Sequence, residues 1–131
     1  MDAQLVISLG GSANPEVLQG IVGNPLVVRY APQLQLLEKA DLTITHAGLN
    51  TTLECLTNAV PMVAIPVAND QPAVASRIVW SGCGEAVPVK KVNVDNLRTA
   101  IKKVLTEDSY RKNALRLQAA IKKSRGNKKS D

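Results

Sequence analysis

The stretch LTITHAGLNTTLECLTNAVPMVAIP, residues 42–66, decides the fold. Its two ends, Leu42–Thr45 and Met62–Pro66, are short β-branched or apolar runs of strand length. Between them Thr51–Asn58 is helical in composition. Working outward, Gln4–Leu9 and Leu26–Tyr30 read as strands before this unit, and Glu85–Val87 reads as a weaker one after it. Leu34–Lys39 and Pro72–Ser81 read as helices in the gaps. The strand runs are nearly all apolar instead of alternating, as expected of strands covered by helices on both faces. Two longer helices close the chain. Val94–Thr106 carries Leu97, Ile101, Val104 and Leu105 on one side, and Ser109–Lys123 carries Tyr110, Ala114, Leu117 and Ile121 on one stripe. Asn93 and Asp108 stand at their expected N-caps. The fold class is therefore α/β, a Rossmann-like parallel sheet with helices on both faces.

With 131 residues the chain is expected to form one domain over 1–123, followed by a disordered basic tail over 124–131 that holds no apolar residue. Phe is absent and Trp occurs once, so the core must come from Val, Leu, Ile and Ala. Two cysteines, Cys55 and Cys83, suit neither a disulfide framework nor a zinc site, and a reducing, cytoplasmic setting fits them. No apolar run approaches the length of a membrane span. The net charge of +5 is unevenly divided. Residues 1–89 hold three basic against seven acidic residues, whereas residues 90–131 hold thirteen against four. A nucleic-acid role is not expected of that basic third, which has one aromatic residue, Tyr110, and no RNA-binding signature. A solvated helical face with a frayed, partnerless end is the reading preferred for it, and a weak contact with anionic membrane through the tail the alternative, shallow and electrostatic because this third has no Trp or Phe.

In an open parallel sheet, ligands bind beyond the carboxyl ends of the strands. Four polar loops collect there: Gly10-Gly11-Ser12, Tyr30-Ala31-Pro32-Gln33, His46 to Thr52, and Asn69-Asp70-Gln71-Pro72. In the third, Gly48 would let backbone approach a ligand, and Asn50, Thr51 and Thr52 open a helix whose N–H groups suit a phosphate. Each residue also has a structural reading. Thr51-Thr52-Leu53-Glu54 fits a capping box, and Asp70 ahead of Gln71-Pro72 fits an ordinary N-cap. At the far end of that helix, Asn58 is expected to close it in place of Ala59, which takes a positive φ at a cost.

Together Tyr30-Ala31-Pro32-Gln33, His46-x-Gly48-x-Asn50-Thr51-x-x-Glu54, Val60-Pro61-Met62 and Asp70-Gln71 resemble the donor-binding signature of family 1 UDP-glycosyltransferases, and Gly82-x-Gly84 followed by two helices continues the similarity. The flavour is similar to bacterial zeaxanthin- or macrolide-type enzymes. The resemblance implies the C-terminal, donor-binding half of a GT-B fold. Gln4–Leu9 then corresponds to the second strand of that half, the first being absent, although Val6–Ser12 also resembles the family's first strand and loop. It further implies that Tyr30 stacks on uracil, where many relatives use Trp, and that the Ala31 backbone bonds the uracil edge. Gln33 and Glu54 would hold the ribose, and His46, Gly48, Asn50 and Thr51 the diphosphate, without metal or other cofactor. Asp70 and Gln71 would bind hydroxyls of the UDP-sugar. Catalysis in the family is inverting displacement by an acceptor hydroxyl, whose general base lies in the N-terminal acceptor domain. The chain is thus expected to bind donor but to hold no catalytic residue, either as part of such an enzyme or as a stand-alone subunit with a separate acceptor-domain partner.

Overall fold

The computed structural model describes the backbone of residues 6–8, 26–28 and 33–129, with side chains from Gln33 to Arg125. The chain divides into two compact units, Met1–Leu36 and Leu37–Asp131. In the first, β1 (Val6–Ser8) and β2 (Leu26–Val28) pair in parallel, with Ile7 opposite Val27. The helix α1 (Gln33–Leu37) follows in sequence.

The second unit runs β3 (Thr43–Thr45), α2 (Leu49–Thr57), β4 (Met62–Ala64), α3 (Gln71–Trp80), β5 (Gly84–Ala86), a single 3-10 turn at Val89–Lys91, α4 (Val94–Thr106) and α5 (Asp108–Lys129). Its sheet has the order β3-β4-β5, and both pairings are parallel. The middle strand is wholly enclosed. Met62, Val63 and Ala64 all have zero exposure, and successive strand residues point to opposite faces. Met62 and Ala64 accordingly pack with Cys55, Ala75, Ile78, Cys83 and Ala114. Val63 packs instead with Val87, Ala100, Val104 and Tyr110. Helices α2, α3 and α5 supply the first cluster and α4 most of the second, so the doubly covered parallel sheet expected from the sequence is present here.

Small residues let these layers close. A Cβ on Gly84 would press into the Met62 carbonyl and lie 2.7 Å from Ile78 Cγ2, so only glycine lets β5 pass under α3. Gly82 ends α3 at φ 77°, and its N–H and that of Cys83 return to the carbonyls of Val79 and Ile78 at 3.0 and 3.2 Å. That is a Schellman closure. The same closure ends α2, but on alanine. Ala59 takes φ 55°, donates to Leu56 at 3.0 Å, and is followed by a Val60 to Cys55 bond of 2.8 Å. Asn58 does not take the left-handed position expected of it. Its φ is −101° and its side-chain amide donates back to the Glu54 carbonyl at 2.9 Å. The two cap bonds and a methyl only 2% exposed hold Ala59 in a conformation that costs an L-residue about 1–2 kcal/mol.

Asn93 caps α4 as expected, accepting from the Asn96 N–H at 2.7 Å. Asp108 lies in the first turn of α5 and not before it. That helix continues to Lys129, past the Lys123 limit read from its apolar stripe. Beyond Lys123, Gly126 is the one poor helix former in a run otherwise free of proline and rich in Lys and Arg, which sustain helix without an apolar partner.

Ala59→Gly removes the left-handed strain but also a buried methyl worth about 0.8 kcal/mol, so stability should stay within about 1 kcal/mol of the parent. Ala59→Val should cost about 2 kcal/mol or more in denaturant melts, since a β-branched residue tolerates positive φ least. Burial pushes the Cys55 and Cys83 thiols above their ordinary range. The unfolded chain therefore loses thiol protons at a lower pH than the folded one. Their contribution to stability is full below the ordinary thiol pKa of about 8.5 and declines as pH rises above it. Thiol reagents at neutral pH should label both cysteines only at the rate of unfolding.

Candidate functional site

The carboxyl end of β3 is built around one buried hydroxyl. Thr45, 8% exposed, accepts the Ala47 N–H on Oγ1 at 3.2 Å. Ala47 is fully buried at φ 73°, and this tight bend leaves His46 exposed at the strand end. A Cβ on Gly48 would lie 2.8 Å from His46 Nε2. Gly48 thus makes room for the imidazole to lie against the backbone at the start of α2, a role distinct from the ligand approach read from the sequence.

The helix begins two residues earlier than expected. Gly48 is its N-cap, with no side-chain cap bond, and its carbonyl accepts both the Thr52 N–H at 3.0 Å and the Thr52 hydroxyl at 2.8 Å. The capping box expected of Thr51 and Glu54 is not formed, because Thr51 is already the third helical residue. The first-turn N–H groups of Leu49, Asn50 and Thr51 precede any carbonyl that could accept them within the helix. They point, with the positive end of the helix dipole, to the side where His46 sits. Glu54 is half-buried, four residues after Asn50 and three after Thr51, and so continues the same helix face.

The next loop, after β4, is organised differently. Asp70 holds the N-cap position of α3, and Pro72 lies in the first turn as expected, but the Asp70 carboxylate makes no cap bond and is exposed. Gln71 closes the loop instead. Its Oε1 accepts the N–H groups of Val67 and Ala68 at 2.9 and 3.0 Å, across Asn69 at φ 59°. Sequence reasoning assigned Gln71 to a ligand only. The signal for its second role is its spacing of three and four residues from the amides it holds, which any polar side chain ahead of a helix could share.

Because β3 and β4 are parallel neighbours, His46–Thr51 and Asp70–Gln71 emerge from adjacent strand ends, about 5 Å apart in the sheet. The Ile65 N–H donates to the Thr45 carbonyl at 2.7 Å and ties the two exits together. One side of this edge therefore offers N–H donors and an imidazole, and the other an acceptor carboxylate and an amide. That combination suits a ligand that is anionic at one end and bears hydroxyls at the other. Of the remaining candidates, Gln33 opens α1 in the first unit and is exposed. Tyr30, Ala31 and the Gly10–Ser12 loop lie outside the described residues. Among the described residues no group of three or more His, Cys, Asp or Glu could hold a metal ion, and no helix is long and apolar enough to cross a membrane.

The chain is similar to known proteins over most of its length. The family described as UDP-glucoronosyl and UDP-glucosyl transferase matches residues 3–130. The NDP-glycosyltransferase YjiC of Bacillus subtilis is 34% identical over 123 residues, covering 94% of this chain and 31% of that protein. The crystal structure of the glycotransferase of kitacinnamycin superposes with a TM-score of 0.81 at 33% identity, over 88% of this chain and 30% of that one. Os79 of O. sativa, solved in complex with UDP and deoxynivalenol-3-glucoside, gives a TM-score of 0.68 at 32% identity, over 72% of this chain and 24% of its own. The chain thus spans about a third or less of the length of these relatives. With that family match running nearly end to end on a parallel, doubly covered sheet, the chain belongs to the UDP-glucoronosyl and UDP-glucosyl transferase family and carries part of its GT-B fold.

Proposed function

We propose that the chain is the donor-binding part of an inverting, metal-independent glycosyltransferase that passes a hexose from a UDP-sugar to an acceptor hydroxyl on a small hydrophobic molecule. The observation that carries this reading is the uncapped first turn of α2 with the His46 ring lying against Gly48. In this reading the diphosphate sits on the N–H groups of that turn, with His46, Gly48, Asn50 and Thr51 around it. Glu54 and Gln33 take the ribose, Tyr30 stacks on the uracil, the Ala31 backbone bonds its edge, and Asp70 with Gln71 takes the sugar. As the bond from the anomeric carbon to the diphosphate breaks, negative charge grows on the leaving oxygen. Pre-aimed N–H groups, the helix dipole and an imidazole N–H stabilise that charge without a metal. Removal of the acceptor proton requires a base, and His46, the single histidine of the chain, is committed to the diphosphate. The acceptor side and its base are therefore assigned to an N-terminal acceptor domain, which this reading makes the partner.

Titration with UDP should shift the NMR signals of Tyr30, His46, Asn50 and Glu54, and saturation without such shifts would refute the site. Losing one charge-assisted hydrogen bond costs about 1.5–3 kcal/mol, so His46→Ala should weaken UDP binding about ten-fold or more. Gly48→Ala should approach the same loss by displacing the ring. In the His46→Ala background it should add little, and calorimetry on the four variants reads that coupling.

Gln71→Glu keeps the acceptor for Val67 and Ala68 but removes the amide donors, whereas Gln71→Ala also opens the loop. UDP affinity should survive both changes. The affinity difference between UDP-glucose and UDP should shrink in each, and hydrogen exchange at the Val67 and Ala68 amides should speed up only in Gln71→Ala.

A further inference from the structure

Trp80, the single tryptophan of the chain, is 91% exposed at the C-terminal end of α3. An indole left bare in this way contributes nothing to the core. The two residues after it are held by α5, more than thirty residues on in sequence. Asn113 donates its side-chain amide to the Gly82 carbonyl at 3.1 Å, and Arg116 reaches the Ser81 carbonyl at 3.4 Å. Ser81 directly follows Trp80, so α5 is moored to the end of α3 that carries the indole. On α5, Lys112, Arg116 and Lys123 stand at intervals of four and seven residues, hence on one side of the helix, and all three are exposed. On α3, exposed Arg77 lies one turn before Trp80 on the same face. No acidic residue occurs from Gln71 to Gly84 or from Ser109 to Arg125.

We propose that this surface, Trp80 with Arg77 on α3 and the stripe Lys112, Arg116 and Lys123 along α5, docks on the surface of an anionic lipid bilayer. Each part of the face fits that occupant. An indole has an apolar body and one polar N–H, and it settles at the level of lipid headgroups. Lys and Arg beside an anionic bilayer contribute about ten-fold or less each to binding, through attraction that salt screens. A single-stranded nucleic acid would instead be met by successive aromatic side chains for its bases, and here there is one. The basic third of the sequence on its own holds no Trp or Phe, and implies only a shallow, electrostatic contact. The fold changes that by mooring α5, which carries these cations, to the end of α3 that carries the indole.

The lone tryptophan makes the test specific. With vesicles of phosphatidylcholine and phosphatidylglycerol, Trp80 emission should shift to the blue and be quenched by brominated lipid. Pure phosphatidylcholine should give neither effect, and high salt should reverse both. Lys112→Gln with Lys123→Gln, two exposed changes, should weaken vesicle binding about thirty-fold, while Trp80→Ala should reduce co-sedimentation with unaltered far-UV circular dichroism. Absence of binding to the anionic vesicles overturns the proposal. So does binding in which Trp80 emission is unmoved, because the contact then lies elsewhere. Equal blue shifts with heparin or RNA in place of vesicles would also overturn it, by assigning the face to polyanions in general.

Discussion

The pairing of β4 on both of its edges is the constraint on which the second unit depends. The buried strand and its two flanking residues receive or give bonds on each side: Thr43 to Pro61 at 3.1 Å and Ile65 to Thr45 at 2.7 Å toward β3, then Met62 to Cys83 at 3.0 Å and Val87 to Ala64 at 2.8 Å toward β5. A one-residue slip would turn Val63 toward α2 and α3 and drive Met62 toward α4, exchanging two cores of different depth. The same register decides where the chain leaves the sheet. His46 and Ile65 begin their loops level with one another because Thr45 is opposite Ala64.

Strain gathers at those exits and is held by specific side chains. Ala47 and Asn69 both have positive φ, one in each loop, and neither is glycine. At Ala47 the bend is fixed by complete burial and by the Thr45 hydroxyl, and at Asn69 by the Gln71 amide bridging to Val67 and Ala68. Both holding groups lie next to residues proposed to touch ligand. The outcome is pre-organisation: His46 and Asp70 are displayed by backbone that is already bent, so ligand binding does not have to bend it.

Much of this was legible in the residues. Strand-length apolar runs located β3 and β4, and the polar residues immediately after them are the ones proposed to bind ligand. What was hidden depends on atoms brought together by the bend itself. Thr51 and Glu54 have the spacing of a capping box, yet the bend at Ala47 starts the helix at Leu49 and leaves that box inside the first turns. Asp70 has the identity and position of an N-cap, but Gln71 satisfies the loop amides first. Ala59 looks unfit for a left-handed turn until its methyl is seen in the core. In each case a local propensity yielded to a contact that the linear sequence does not contain.

Strand polarity also separates the two surfaces assigned to this chain. β3 and β4 each hand over to a helix at the carboxyl end, so the N-termini of α2 and α3 lie at the edge proposed to bind ligand and their C-termini at the other. Thr57, which accepts from Gln118 of α5 at 2.7 Å, and Ser81 and Gly82, which accept from Arg116 and Asn113, are all at that second edge. A helix of ten residues such as α3 puts about 15 Å between Gln71 and Trp80. α5 is therefore bonded to the opposite edge of the sheet from the first turn of α2, where the diphosphate is proposed to sit. The bilayer proposed to meet Trp80 would thus face the second edge, and the nucleotide donor proposed for His46 and Asp70 the first.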